Sequence, residues 1–301
     1  MLFSAPRLSC GLFDMSTTCS DVSVMRRGVL GGARLCYTSR ADEQGTSLTE
    51  QWVRPPLHMT KAYHEEGWAI SQLMSPTAGL LDGDLLEVKA EVGAGAKAAL
   101  ISPAACRVHT MPSGNAQIQQ SYTVGADAAL DVWPAPLILQ SAATLKQTTH
   151  LEVDRTATVL MCEVVSPGRI TFGECFQFTE WSSNLRITRN GRLLAYENFS
   201  VFPALGDCAD WRNRYPNGTY ASVYYLNPQP LGELVQSLHG LEVENVTVGA
   251  SPLRESGLGL KILAADGISL RKAIFSVRNL LIMHSNIVFP TALKRAQTFF
   301  Y

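Results

Sequence analysis

The chain has 301 residues, of which 46% are hydrophobic and 17% charged, a composition typical of a folded protein with a sizeable core. A formal net charge of −1 and the lack of any basic run argue against binding to nucleic acid or to an anionic membrane. Seven cysteines without a C-x-x-C pair, and apolar stretches far shorter than the ~20 residues of a membrane helix, predict free thiols and a cytoplasmic location.

The first part of the chain divides into an extension and the start of a β-rich domain. Residues 1–30 show little periodicity and are predicted to be disordered or dispensable, with one domain over residues 31–301. Residues 33–38 alternate between apolar and polar side chains as a strand does, and a Pro-Pro pair interrupts the segment 49–60. We expect two strands here, the second at the edge of a sheet.

A turn follows at residues 74–84, which carry one proline and two glycines between apolar runs. Pro76 fixes its own φ angle, whereas Gly79 and Gly83 can adopt the positive φ angles that other residues avoid. The pattern predicts a tight turn of defined geometry before a strand that begins near Leu85.

Two aspartates, Asp82 and Asp84, stand at the end of this turn. If the segment is extended, their carboxylates point to the same side, and such a pair can hold a divalent cation through oxygen ligands. The alternative is a strand-entry turn in which the aspartates accept hydrogen bonds from backbone N–H groups.

The centre of the chain is predicted to be a long series of strands separated by short polar turns, without helical periodicity between them. Asn190-Gly191 is typical of a type I′ hairpin turn. Residues 92–100 and 124–132 are similar in sequence, but the spacing does not continue as a fixed repeat. We therefore expect an all-β fold with a coiled or multi-sheet architecture. The predicted strands of this part cover residues 68–73, 85–92, 96–103, 117–124, 128–133, 137–139, 145–153, 156–165, 172–178, 184–188 and 192–199.

The C-terminal part is different, because it has two segments with helical spacing. Residues 230–239 and 268–285 each place leucine, isoleucine or valine at intervals of three and four. Asp266 or Ser269 is expected to cap the second helix. Both helices are predicted to cover an open side of the sheets.

A second informative stretch spans residues 163–176. Glu163 ends a strand apolar enough to be buried on both faces, and a charge there is costly unless it is paired or binds a metal. Arg169 is the local candidate for pairing, so a structural Glu–Arg contact is the alternative to a ligand. Glu174 follows a glycine shortly afterwards.

Several enzyme signatures are absent from the sequence: a phosphate-binding loop, an H-E-x-x-H zinc motif and a G-x-S-x-G nucleophile motif. Cys106, His109 and Met111 form a weak metal-binding candidate, because in a strand only His109 and Met111 share a face. The alternative is a histidine beside a turn and two sulfur-containing core residues.

The stretches 74–84 and 163–176 resemble the two signature motifs of the UreD/UreH family of urease accessory proteins. The first matches a Pro-Gly-Gly run followed by Gly-Asp, although Thr77-Ala78 replaces the usual glycine there. The second matches a Glu, then Gly-Arg, then Gly-Glu before a phenylalanine. Trp133-Pro134 and the hairpin over residues 187–194 are also similar to the family, and the resemblance covers nearly the whole chain after residue 30. The matching residues of the two signatures are Pro76, Gly79, Gly83, Asp84, Glu163, Gly168, Arg169, Gly173, Glu174 and Phe176.

The resemblance implies a β-helix-like, all-β body with two helices near the C-terminus and no enzymatic activity. It further implies a scaffold that docks on apo-urease with UreF and the GTPase UreG, as a possible dimer in the accessory complex. In this role the protein passes Ni²⁺ through an internal passage to the urease active site, with no tightly bound cofactor.

Carboxylates inside an apolar body suit such a passage, because an ion in transit needs ligands that replace its bound water and then release the ion. The candidate passage residues are Asp82, Asp84, Glu163 and Glu174, with Cys162 and His109 as weaker candidates. Two other functions remain open. One is a β-helical carbohydrate-active enzyme with two carboxylates across an open groove, and the other is an all-β interaction module without metal.

Overall fold

The structure, a computed structural model, describes residues 28–40, 45–255 and 257–295. In these ranges the chain is mostly β-structure, with four α-helices that lie after residue 208. The strands are β1 (Leu30–Arg40), β2 (Gly45–Arg54), β3 (His58–Met59), β4 (Tyr63–Glu65), β5 (Trp68–Met74), β6 (Leu85–Val92), β7 (Lys97–Ile101), β8 (Cys106–Val108), β9 (Ala116–Val124), β10 (Ala129–Trp133), β11 (Leu137–Leu139), β12 (Thr144–Val153), β13 (Thr158–Ser166), β14 (Glu180–Arg189), β15 (Arg192–Val201), β16 (Thr219–Leu226), β17 (Val246–Leu253) and β18 (Gly257–Ala264). The helices are α1 (Ala209–Arg214), α2 (Gly232–His239), α3 (Gly267–His284) and α4 (Thr291–Arg295).

The strands form a β-solenoid whose successive coils add parallel strands to two stacked sheets. The first sheet has the order β2-β1-β6-β9-β12-β14-β15, in which the five inner strands are parallel and the two outer ones antiparallel. In the second sheet, β5, β7, β10 and β13 are parallel, and β16, β18 and β17 continue it as antiparallel strands. The short strands β8 and β11 pair in parallel beside the end of β13 and form a third face.

Side-chain alternation explains how the coils pack. β9 and β12 bury every second residue, as half-buried strands do. β10 is buried along its whole length, because one side faces the first sheet and the other side faces the helices. The predicted all-β fold is therefore confirmed, with a β-solenoid arrangement.

The two predicted helices are also confirmed, as α2 and α3. Both pack with the outer face of the second sheet through a shared apolar cluster that includes Leu234, Leu270 and Val277. The Asp266 carboxylate accepts a 2.7 Å hydrogen bond from the Ser269 backbone N–H and so caps α3. No helix in the described ranges combines the length and the apolar character needed to span a membrane.

One sequence prediction of local structure is wrong, and one hairpin was missed. Residues 172–178 do not form a strand, because Ile170–Phe172 is a 3₁₀-helix that ends at Gly173 with a positive φ angle. The hairpin of β17 and β18 was not predicted. β17 lies at the edge of its sheet, contains Gly249 and Pro252 and is half-exposed, so its sequence lacks the usual strand alternation.

The predicted extension, residues 1–30, lies mostly outside the described residues. Its end is described, and β1 begins at Leu30. The other strand predictions agree with the structure to within a few residues, and those for residues 85–92 and 137–139 coincide with β6 and β11.

Candidate functional site

The two aspartates of the first signature have different environments. Residues 81–84 form a turn closed by a hydrogen bond from the Asp84 N–H to the Leu81 carbonyl, so the segment is not extended and the carboxylates do not share a face. Asp84 is buried and accepts hydrogen bonds from the N–H groups of Val29 (2.7 Å) and Leu81 (2.8 Å). Asp82 is partly exposed and lies against Gly114. The structure thus gives Asp84 a backbone-capping role.

The rest of the first signature holds the turn against the next coil. Gly79 and Gly83 have positive φ angles, as predicted, and Pro76 is exposed. A Cβ atom at Gly79 would overlap the carbonyl of Arg107, so only glycine allows this close approach. His109 Nε2 donates a 2.9 Å hydrogen bond to the Ala78 carbonyl, which places this histidine beside the same turn.

The second signature is a closed loop between β13 and β14. Arg169 and Glu174 form an ion pair in which Nε and Nη2 of the guanidinium group each donate to one carboxylate oxygen, with a 2.6 Å hydrogen bond from Nε. A Cβ atom at Gly168 would overlap the Glu174 carbonyl, and Gly173 ends the short 3₁₀-helix. The pairing expected between Arg169 and Glu163 is therefore wrong, because the arginine binds the acid within its own loop.

Both signature loops lie at one corner of the solenoid, with the loops of the intermediate coils stacked between them. Backbone hydrogen bonds connect Leu80 to Arg107, Met111 to Ala142 and Ala142 to Gln177 in this order. Asp82, Asp84 and His109 are therefore at one end of the stack, and Glu174 is at the other. The described residues contain no group of three or more His, Cys, Asp or Glu side chains arranged to hold a metal ion.

Glu163 has a different position, inside the solenoid. On β13 it points to the same side as Met161, which packs between the two sheets. Its Oε1 accepts hydrogen bonds from Gln147 Nε2 (2.6 Å) and Thr149 Oγ1 (3.3 Å) on β12. It lines a cavity of about 100 Å³, which extends to Ala105, an exposed residue between β7 and β8.

The surroundings of Glu163 favour its neutral form. Burial raises the pKa of this carboxyl to about 7, although the nearby Lys261 ammonium and the hydrogen bonds from Thr149 and Gln147 act in the opposite direction. A substantial fraction of the Glu163 carboxyl is therefore protonated near neutral pH, whereas a surface glutamate with a pKa near 4.5 is almost fully ionised there.

A partly exposed lysine from the hairpin of β17 and β18 lies near this group. Lys261 Nζ donates to the carboxylate of Glu197 (2.5 Å), to the hydroxyl of Tyr224 (2.9 Å) and to that of Ser222 (3.1 Å). Ser222 is opposite Glu163 in the pairing of β13 with β16, and opposite Lys261 in the pairing of β16 with β18. One signal of this polar group is present in the sequence: Gln147 and Thr149 occupy the inward, otherwise apolar side of an alternating strand.

The sulfur candidates lie elsewhere. Cys162 points away from Glu163 into the apolar cluster beneath the helices, and burial raises the pKa of its thiol far above neutral pH. Cys106 lines the cavity, and burial raises the pKa of its thiol to about 11. Both thiols are protonated near neutral pH, whereas the thiolate is the form that binds metals well.

Comparisons with known proteins assign the chain to a family. Residues 30–294 match the family described as UreD urease accessory protein. The chain is 32% identical over 248 residues to a urease accessory protein UreD of Opitutus terrae, an alignment that covers 78% of this chain and 88% of the relative. It is 28% identical over 268 residues to UreD of Actinobacillus pleuropneumoniae, covering 85% and 99% of the two chains. It is also 31% identical over 157 residues to UreH of Helicobacter hepaticus, covering 52% and 62%. The chain therefore belongs to the UreD urease accessory protein family, whose role is in urease maturation.

Proposed function

We propose that this chain is a cytoplasmic scaffold that docks on apo-urease with UreF-like and UreG-like partners and passes Ni²⁺ to the urease active site. The observation that carries the proposal is Glu163, a carboxyl group directed into a cavity inside a solenoid of the UreD family. Ni²⁺ is cargo in this proposal, not a resident cofactor, and no catalytic step is assigned to the chain.

The chemistry around Glu163 suits an ion that binds and then leaves. Glu163 supplies one carboxylate, and the side chains of Gln147 and Thr149 beside it carry neutral oxygen atoms. So small a ligand set holds a divalent cation weakly. Because the pKa of Glu163 is about 7, an arriving cation can displace its proton at neutral pH without a large cost.

The other nominated residues take a smaller part in this proposal. Asp84 already caps two backbone N–H groups, and Glu174 is paired with Arg169. Asp82 and His109 lie at the signature corner, and Cys162 faces the helices. We therefore propose passage through the cavity at Glu163, and a structural role for the signature loops.

The lining of the cavity does not favour the glycosidase alternative. Among the described residues that line it, Glu163 is the only carboxylic acid. Retaining and inverting glycosidases generally use two carboxyl groups on either side of the scissile bond. The described lining of this cavity supplies one carboxyl group.

The test of ion passage is urease activation in cells that express the urease and accessory genes of the source organism. With Glu163→Gln we expect urease activity and nickel per urease to fall about tenfold, because a group that supports metal binding is lost. The matched control is Glu87→Gln, since Glu87 lies on β6 with its side chain on the outer face of the first sheet. Normal activation by a folded E163Q variant would contradict passage through this cavity.

The same variants test docking separately. We expect E163Q to co-purify with the UreF-like partner and apo-urease in the same amounts as the unmodified chain, because Glu163 is inside the solenoid. Loss of the complex in E163Q alone would show that the residue acts through assembly instead of ion passage.

A further inference from the structure

A basic pocket lies where several turns of the chain meet, away from the interior cavity. The turn after β12, the Asn-Gly turn between β14 and β15, the segment after β16 and the turn after β17 all contribute to it. Its volume is about 670 Å³, within the range of small-molecule sites. Its lining residues are Arg155, Arg189, Asn190, Arg192, Pro228 and Glu255.

The most unusual member is Arg189, whose side chain is buried although the residue ends a strand. Arg189 is 3% exposed, and its Nη1 group donates to the backbone carbonyl of Glu255. Its Nε and Nη2 atoms are buried, and no hydrogen-bond partner for them exists among the described residues. Burial lowers the pKa of this guanidinium, although the Glu255 and Asp154 carboxylates act in the opposite direction.

The two nitrogen atoms without partners form one edge of the guanidinium group. That edge presents two parallel N–H donors, which match two oxygen atoms of a carboxylate or a phosphate. Leaving both donors unpaired costs free energy, and an oxyanion in the pocket would remove that cost.

Charge indicates which oxyanion fits. Three arginines and one glutamate line the pocket, so two positive charges are uncompensated by its own residues. Asp154, an acid that does not line the pocket, accepts hydrogen bonds from the N–H and the hydroxyl of Thr156. A phosphate dianion would balance the two positive charges, whereas a single carboxylate would leave one positive charge unbalanced.

We propose that this pocket binds the phosphate group of a small molecule, with Arg189 as the buried anchor and Arg155 and Arg192 at the rim. The volume of the pocket accommodates a phosphate that carries an organic substituent. The proposal is independent of nickel passage, because no residue of the pocket lines the cavity at Glu163.

Glu255 is the internal competitor for the same cations. Its carboxylate lies 3.7 Å from the guanidinium of Arg192, and both side chains are largely exposed. Neutralising Glu255 should therefore free Arg192 and strengthen phosphate binding. A nonspecific basic surface would respond equally to any nearby change of charge.

The test is titration calorimetry of the full chain at pH 7.5 and constant ionic strength, with inorganic phosphate, phenyl phosphate and succinate as probes. Arg189 is buried and its replacement can unfold the chain, so the variants are Arg155→Gln, Arg192→Gln and Glu255→Gln. The matched control is Arg186→Gln. Arg186 is an exposed arginine of β14, the strand that ends with Arg189, and it does not line the pocket. Circular dichroism checks that each variant is folded.

We expect saturable 1:1 binding of phosphate that weakens about tenfold or more in R155Q and in R192Q, since each removes a charge-assisted contact. E255Q should bind more tightly, and R186Q should be unchanged. Tighter binding of phenyl phosphate than of inorganic phosphate would identify a phosphate monoester as the ligand, and equal binding would identify free phosphate. The proposal is overturned if neither phosphate saturates, if succinate binds more tightly, or if R186Q weakens binding as much as the pocket variants.

Discussion

At the scale of single residues, Glu163 links the stability of the chain to pH. Burial raises its pKa to about 7 from a reference value of 4.5. Between these two values the folded chain binds more protons than the unfolded chain, so the free energy of unfolding decreases as pH rises. The stabilisation is complete below about pH 4.5 and lost above about pH 7.

The variant Glu163→Gln tests this link. Glutamine resembles the protonated acid and cannot ionise, so we expect E163Q to lack this pH dependence. It should be more stable than the unmodified chain at pH 8 by a few kcal/mol, at about 1.4 kcal/mol per unit of pKa shift. Urea denaturation at pH 5, 6, 7 and 8 measures the difference.

Glu87→Gln is again the control, and its stability curve should parallel that of the unmodified chain. If the E163Q curve also ran parallel, Glu163 would titrate in the folded chain as it does in the unfolded one. A variant that is more stable and yet fails to activate urease would separate loss of function from loss of folding.

At the scale of elements, one buried ion pair connects α3 to the solenoid. Asp131 on β10 and Arg278 on α3 are both almost completely buried. Arg278 Nη1 donates to the Asp131 carboxylate at 2.9 Å, and the indole N–H of Trp133 donates to the same oxygen at 2.8 Å. The guanidinium also lies over the Trp133 ring. Both carboxylate oxygens of Asp131 and both Nη atoms of Arg278 thus have a hydrogen-bond partner.

Replacing one partner of this pair should be costly. We expect Asp131→Ala to lower the free energy of unfolding by about 3–5 kcal/mol, because it leaves the Arg278 charge buried and unpaired. Urea denaturation measures the loss, with Lys272→Ala on the exposed side of α3 as a control that should change it by no more than about 0.5 kcal/mol.

The double variant Asp131→Leu, Arg278→Met checks the cause. Replacing both charges with apolar side chains should recover much of the stability, because no unpaired charge remains. If the double variant were as unstable as D131A, loss of packing and not the unpaired charge would explain the effect.

The sequence predicted elements well where one local signal decides the structure. The alternation of apolar and polar residues correctly predicted β6. The asparagine and glycine of the hairpin turn both have the positive φ angles of a type I′ turn, as predicted. The prediction failed where contacts within one loop, and not alternation, decide the structure. Residues 172–178 looked like a strand, but the pairing of Arg169 with Glu174 and the tight approach at Gly168 close a loop there.

The candidate site shows the same division. The cost of a charge at Glu163 was evident from its apolar neighbours. Its actual surroundings were not, because Lys261 comes from a hairpin that the sequence did not reveal and Gln147 from the neighbouring sheet. The basic pocket was also missed, since turns far apart in sequence build it.

At the scale of the whole molecule, the corner turns explain why a solenoid shows no fixed repeat. Three successive turns have the same internal hydrogen bond, from Ala96 to Gly93, from Ala128 to Gly125 and from Ala157 to Asp154. The turns stack, but the segments between them differ in length, because Gly93 and Gly125 are 32 positions apart whereas Gly125 and Asp154 are 29 positions apart. A repeat search that requires constant spacing therefore finds only the first two turns.

The stacking also predicts how stability is distributed. β9 and β12 have parallel neighbours on both sides, so their backbone groups are hydrogen-bonded in both directions. β17 lies at the edge of its sheet, pairs only with β18 and is half-exposed. Amide exchange of a central strand requires opening of the whole coil, whereas an edge strand can open locally.

Hydrogen–deuterium exchange followed by mass spectrometry tests this distribution. At neutral pH and 25 °C, we expect peptides covering residues 116–124 and 144–153 to exchange slowest, and the peptide covering residues 246–253 to exchange fastest of the long strands. Lowering stability through D131A should accelerate the central peptides most, because their exchange depends on global opening whereas the edge already exchanges through local opening. Equal exchange rates at the centre and at the edge would mean that the solenoid opens only as one cooperative unit.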